Sequence, residues 1–376
     1  MHCPAALRSA ILPGMVEAPR ARSPRGKVLS IQYLRAIAAI AVAVYHCGTD
    51  AHWRNAWPLK GFSSGVDVFF VISVFIMWST TARGAIGPRE FWRRRIERIV
   101  PLYWIATTFA VLVAIVSSRY GGKTSLWHVI SSYAFLPATS PKTHYLEPII
   151  SPGWTLNYEM YFYAILGALL VVSARKRFIG TAAALTGVVI AAALASGRFV
   201  PLEFYGNSIV FEFLFGMSLG VLFASARLNL PVRWAWVAMA VGVILLGTID
   251  SIHYTARVLS LGIPALIIVG SALCLEHAGA VREWKIPLLL GDASYSIYLS
   301  HGVFLSGYRS LYFKTSLPSI GFFLSGLVGS VVFGLLVYRF IETPIARRIR
   351  ERRRRGARPV ASDPAVADVV AAKAVG

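Results

Sequence analysis

Apolar residues in this chain neither alternate nor mark one stripe of a surface helix. They come in long continuous runs of about 17 to 25 residues, the length a helix needs to cross a bilayer. Ten such runs are read, at approximately 31–48, 62–80, 99–117, 154–172, 178–196, 207–224, 232–249, 258–275, 292–308 and 319–341. Hydrocarbon offers no partner to a backbone amide or carbonyl, so runs of this length predict helices, which satisfy their own backbone. The expected fold class is all-α, a polytopic transmembrane bundle of about ten spans. No repeat at a fixed period stands out, and no paired inverted halves.

Composition sharpens this picture. The 376 residues are 56% hydrophobic and 15% charged, with a mean hydropathy of +0.61, outside the range of soluble globular domains. A formal charge of +21 would suit a nucleic-acid partner, but Lys and Arg are distributed by membrane side and are not clustered with base-stacking aromatics. No nucleic acid is expected; the basic residues are topology signals. With a cytoplasmic N-terminus, most of the 38 fall on the cytoplasmic side, including the runs FWRRRIER at 91–98, ARKR at 174–177 and IARRIRERRRR at 345–355. Both termini are then cytoplasmic in a multi-pass protein of a bacterial inner membrane, with the basic runs against anionic lipid headgroups.

Three regions are expected. Residues 1–27 are basic, rich in Pro and Arg, and lack a long apolar h-region, so they read as a disordered cytoplasmic leader and not as a cleaved signal. Residues 28–345 form the transmembrane domain, and 346–376 a basic, disordered cytoplasmic tail. The longest external loop, about 118–153, holds LWHVISSYAFLP, too short to span and suited to a re-entrant or interfacial position. Cys3, Cys47 and Cys274 have neither metal-site spacing nor the pattern of a disulfide framework, and no metal is expected.

Ionisable groups inside spans are costly, so each is a functional hypothesis. Arg35 and His46 are eleven residues apart in the first run, roughly 16 Å and about three turns of helix, and so share one face. Arg35 falls near the cytoplasmic side and His46 near the external end. Asp67, Glu159 and Glu212 fall in the outer half of their spans, and His301 nearer mid-membrane. A histidine paired with a carboxylate is held in one tautomer and stabilised when it takes a proton. His46 is therefore read as a base, with Asp67 or Glu159 orienting it; Glu212, Tyr298 and His301 are additional candidates. Plainer readings stand beside these: a packing histidine for His301, a cap for Asp67, and an interfacial aromatic belt of Trp154, Tyr158 and Tyr161 around Glu159. Arg35, Arg95 and Arg98 suit an anionic ligand, because the guanidinium fork binds phosphate in bidentate fashion. The interval of roughly 16 Å from this clamp to the base is comparable with the extended pantetheine arm of coenzyme A.

Six motifs in order make the chain resemble the acyltransferase family 3 of integral membrane acyltransferases, above all its exopolysaccharide-modifying members. They are the Arg35-x10-His46 pair, GVDVFFVIS at 65–73, RRRIERIVPLYW at 93–104, GWTLNYEMYFY at 153–163, LGDASYSIYLSH at 290–301 and IETP at 341–344, and the resemblance covers about 28 to 350. It implies acetyl-CoA or a related thioester as cytoplasmic donor and a hydroxyl of a surface polysaccharide, or of its lipid-linked precursor, as acceptor. It also implies an essential Arg and His in the first span, matched by Arg35 and His46, an arginine pair matched by Arg95 and Arg98, and a glutamate matched by Glu159. Direct attack by the hydroxyl and a transient acyl-histidine both place His46 beside the carbonyl. One departure is visible: the family's usual Ile-Ser-Gly-Phe is here Ile72, Ser73, Val74 and Phe75, with bulk where glycine permits close helix approach. The rival reading is a transporter or flippase for a glycan or acyl group, which explains the polar residues as a permeation path and explains less well the thioester-length interval.

Overall fold

A computed structural model describes residues 28–51, 53, 59–82, 86–116, 125–195, 197, 199–248, 257–312 and 318–356. Among these the chain is helical, and its only strand-like pairing is an isolated bridge between Thr139 and Leu146. In chain order the helices are α1 (Leu29–Asp50), α2 (Gly65–Thr81), α3 (Pro88–Val116), α4 (Leu126–Tyr133), α5 (Trp154–Ala168), α6 (Ala174–Ala195) and α7 (Val200–Tyr205). They continue with α8 (Phe211–Ala224), α9 (Val232–Thr248), α10 (Ile263–His277), α11 (Lys285–Asp292), α12 (Ser294–Tyr312), α13 (Ser319–Val337) and α14 (Thr343–Gly356). Two π-helical turns, Val258–Gly262 and Tyr338–Glu342, lead into α10 and α14.

Six segments are long and apolar enough to cross a membrane: Leu29–Asp50, Leu59–Thr81, Pro88–Val116, Ala174–Ala195, Val258–His277 and Ser319–Arg355. The count of about ten is not reproduced on this measure. The other expected spans fall on helices, but α5, α8 and α9 have 15, 14 and 17 residues, and α12 carries too much Ser, Tyr and His to qualify. The expected leader lies outside the described residues. The expected tail begins as helix α14, which extends to Gly356, and 357–376 lie outside the described residues.

α1 is the central element, packed among α2, α10, α11, α12 and α13. Its start is fixed by Glu276 at the end of α10, whose carboxylate accepts the backbone N–H groups of Leu29 (3.0 Å) and Ser30 (2.8 Å). These are two of the amides that a helix start leaves unpaired, and a negative charge suits that end of the dipole. Arg177 performs the converse task at helix ends, donating to the carbonyls of Thr81, Leu169 and Val172 at 3.1, 3.3 and 3.2 Å.

The departure at Val74 is compensated across the interface. Val74 is fully buried, and the small residue that lets α2 and α8 approach is Gly216 on α8, where a side chain would meet the Val71 backbone and, at 2.8 Å, the Val74 Cβ. Small residues at such interfaces let the backbones of membrane helices approach closely. α3 contains Pro101, which lacks the N–H that would bond the carbonyl one turn back and so loosens the helix there. Two residues before this proline, the Ile99 carbonyl accepts the Tyr295 hydroxyl of α12 at 2.8 Å. α14 folds back onto the start of α3, with Arg353 bonded to Glu90 and 3.5 Å from Glu97.

Candidate active site

α1 carries Arg35 and His46 on one face, as their spacing predicts, and they open into two different cavities. Arg35 lines a cavity of about 490 Å³ and His46 one of about 1110 Å³. α3 and α12 serve both. The smaller cavity takes Arg94 to Leu102 of α3 and Ser294 to Tyr298 of α12, and the larger takes Phe109 to Ala114 and His301 to Leu311. The cavities are therefore stacked along the axes of three shared helices.

The smaller cavity is rich in guanidinium groups. Arg35, Arg95 and Arg98 line it together, joined by Arg94 and by Arg350 and Arg353 of α14. Arg35 is buried and donates to Gln32 Oε1 at 3.3 Å. The Arg95 guanidinium lies over the rings of Phe91 (5.7 Å) and Tyr163 (6.0 Å), and its Nε has no hydrogen-bond partner among the described residues. Aromatic faces hold the planar fork without consuming its donors, which leaves them for an anion. Three carboxylates, Glu97, Glu159 and Glu342, line the cavity. Glu159 accepts the Tyr163 hydroxyl at 2.8 Å, and Glu342, at the end of a π turn, accepts the Ser296 hydroxyl at 2.5 Å. Tyr298 lines the same cavity, within 2.9 Å of the Thr155 hydroxyl.

The larger cavity brings His46 and His301 together, ring centroids 5.1 Å apart. His301 is fully buried, with the backbone of Ile297 and Tyr298, about one turn earlier in α12, against its ring. The carboxylates on this cavity are Asp50 and Glu147. Asp50 is 3.5 Å from Arg309 of α12, while Glu147 accepts the hydroxyls of Thr143 (2.6 Å) and Ser151 (2.7 Å). His128 of α4 also lines it, its Nε2 2.9 Å from the Glu147 carbonyl.

Asp67 and Glu159, read from sequence as the groups that orient His46, are not brought to it. Glu159 belongs to the arginine cavity. Asp67 lines neither cavity and is held by Arg257 in a bidentate pair, with Nε to Oδ1 at 2.9 Å and Nη2 to Oδ2 at 2.7 Å. Glu212 is fully buried next to this pair, against Gly262 of the π turn, and reaches neither cavity. Sequence reasoning missed Asp50, His128 and Glu147, because they lie at a helix end, on an eight-residue helix and in a loop, where periodicity carries no signal. Glu342 stood inside the IETP motif without an assigned role. Among the described residues, no group of three or more His, Cys, Asp and Glu is arranged to hold a metal ion.

Comparison with known proteins gives the context for this geometry. The family model for the acyltransferase domain of acyltransferase family 3 matches residues 28–339. The exopolysaccharide production protein ExoZ of Rhizobium meliloti is 34% identical over 292 residues, 77% of this chain and 92% of ExoZ. The Bacillus subtilis protein named "Putative peptidoglycan O-acetyltransferase YrhL" is 26% identical over 358 residues, 83% of this chain and 54% of that protein, so the chain spans about half the length of that relative. No solved structure matches the chain.

Proposed function

This chain belongs to acyltransferase family 3, and on that premise we propose that it transfers an acetyl group from cytoplasmic acetyl-CoA to a hydroxyl of a surface polysaccharide or its lipid-linked precursor. The observation that carries the reading is the stacking of two cavities along α1, with arginines at one end and paired imidazoles at the other. The name and extent of ExoZ favour an exopolysaccharide acceptor.

In this reading the Arg35 cavity is the donor site. Arg35, Arg95 and Arg98 hold the nucleotide phosphates, and Arg94 and Arg350 add charge at its rim. The pantetheine arm runs along α1 toward His46. Both large basic runs, at 93–98 and 347–355, border this cavity, which supports a cytoplasmic orientation by the excess of Lys and Arg on that side. The chain is then a multi-pass inner-membrane protein, with α5, α8, α9 and α12 as further crossings beside the six long segments and both termini in the cytoplasm.

The larger cavity takes the acceptor. His46 removes the proton from the sugar hydroxyl as its oxygen attacks the thioester carbonyl carbon. The carbon–sulfur bond then breaks, and the imidazolium returns its proton to the departing thiolate, so the base ends as it began. His301 is the group beside His46, in the place that sequence reasoning gave to a carboxylate. Glu147 supplies negative charge in the same cavity.

The test is free CoA thiol released by purified protein given acetyl-CoA and an acceptor glycan, with acetyl ester measured on the glycan. Stoichiometric thiol and ester support the reading. Movement of glycan across a proteoliposome membrane with no thiol released would replace it with a flippase.

A further inference from the structure

A donor cavity and an acceptor cavity that face opposite sides of a membrane create a hazard. If they join freely, water from the acceptor side reaches the thioester and the two compartments are connected through the protein. The boundary between them can be located residue by residue. Along the chain leading into α5 it falls between Pro152, on the His46 cavity, and Thr155, on the Arg35 cavity. Along α12 it falls between Tyr298, on the Arg35 cavity, and His301.

Tyr298 occupies that boundary. It is buried, with its ring 6.1 Å from His301 and 5.6 Å from Phe69, so it fills the space between the imidazoles and α2. Its hydroxyl closes a triangle: 2.9 Å to Thr155 Oγ, 3.1 Å to the Pro152 carbonyl, with Thr155 Oγ itself 3.0 Å from that carbonyl. Each hydroxyl has one hydrogen to give, so two hydrogens serve three contacts. When the Tyr298 hydroxyl leaves, Thr155 still donates to Pro152, and no buried carbonyl is stranded. The ring can therefore move aside without the cost of an orphaned acceptor.

We propose that Tyr298 is the partition between the two cavities, a positioning residue that seals the thioester from water on the His46 side until an acceptor is seated. The inference rests on the donor and acceptor assignment above. With the partition open and no acceptor present, water takes the place of the sugar hydroxyl. Its oxygen attacks the carbonyl carbon, the carbon–sulfur bond breaks, and one water proton passes through His46 to the thiolate. The products are CoA thiol and acetic acid, which ionises. Exclusion of water from a reactive intermediate is the ordinary way an active site suppresses this loss.

The experiment measures thiol release from acetyl-CoA without acceptor, CoA binding, and labelling of Ser73→Cys, which lines the donor cavity. A small membrane-impermeant thiol reagent is added on the side to which His46 opens, in a Cys3→Ser background, and peptide mapping identifies the site. Tyr298→Ala should raise acceptor-free release above the wild-type background with CoA binding retained, and should make the introduced cysteine reactive. Tyr298→Phe and Thr155→Val, which keep the ring or its neighbour but break the triangle, should give smaller rises. A Tyr298→Ala protein that binds CoA, releases thiol at the wild-type background rate and leaves residue 73 unlabelled overturns the proposal. Should that variant not fold, wild-type background release from both Tyr298→Phe and Thr155→Val overturns it. If the wild type releases no thiol even with acceptor, the acyl-transfer reading has failed, and the labelling result alone decides whether Tyr298 separates the cavities.

Discussion

His46 and Asp67 illustrate how differently two ionisable residues in apolar helices can be placed. His46 faces a large cavity beside a second imidazole, whereas Asp67 is fully buried and consumed by Arg257. The proposed mechanism expects His46→Gln to retain CoA binding and to lose transfer by a factor of about 10² to 10⁴, the usual worth of a general base. Binding and transfer measured on one preparation separate these effects. On the same mechanism His301→Gln should lower transfer with binding intact, since the ring lies against His46. Asp67→Asn should act on stability. Removing the Asp67 charge weakens this ion pair and should destabilise the fold, seen as a lower midpoint of thermal unfolding in detergent. A variant as stable as wild type but inactive would return Asp67 to the chemistry.

Between elements, two interfaces deserve separate tests. α2 and α8 meet where Val74 faces Gly216, so the glycine usual on one helix is supplied by the other. Gly216→Val alone should cost about 1–3 kcal/mol through overpacking, and the exchange Val74→Gly with Gly216→Val should recover part of it. Additive losses in thermal unfolding midpoint would show that the two positions do not share one space. α14 forms part of the arginine cavity through Ile345, Ala346, Ile349, Arg350 and Arg353. Ending the chain after residue 342 should therefore weaken CoA binding, measured by titration, whereas ending it at 356 should not. Sequence reasoning read 346–376 as a tail and the 345–355 run as an anchor for lipid headgroups. Its dense arginine content resembles a solvated run, and nothing in the local pattern says that the helix returns to α3 through Glu90 and Glu97.

For the whole molecule, the long apolar runs made the helical architecture legible, and the eleven-residue interval in α1 put Arg35 and His46 on one face. Arg35, Arg95 and Arg98 line one cavity; the sequence pointed to them through the fit of the guanidinium fork to phosphate and through the family's motifs. What periodicity could not supply was partnership across the bundle. Whether Asp67 meets His46 or Arg257 depends on the rotation of α2 against α10, and each helix is apolar nearly all round, so its sequence does not say which face turns inward. Loop residues such as Glu147 had no pattern at all. The span count was not settled by the apolar runs: ten were read, and six segments are long and apolar enough to cross, α5, α8 and α9 being short and α12 polar.

The central claim is that donor and acceptor approach from opposite faces and meet along α1. Sealed proteoliposomes of one orientation, with labelled acetyl-CoA on the side of the 91–98 and 345–355 basic runs and acceptor glycan on the other, test it most directly. The account expects labelled ester on the glycan while the CoA thiol stays on the donor side. Ester formed only when both substrates are supplied to the same face would contradict it.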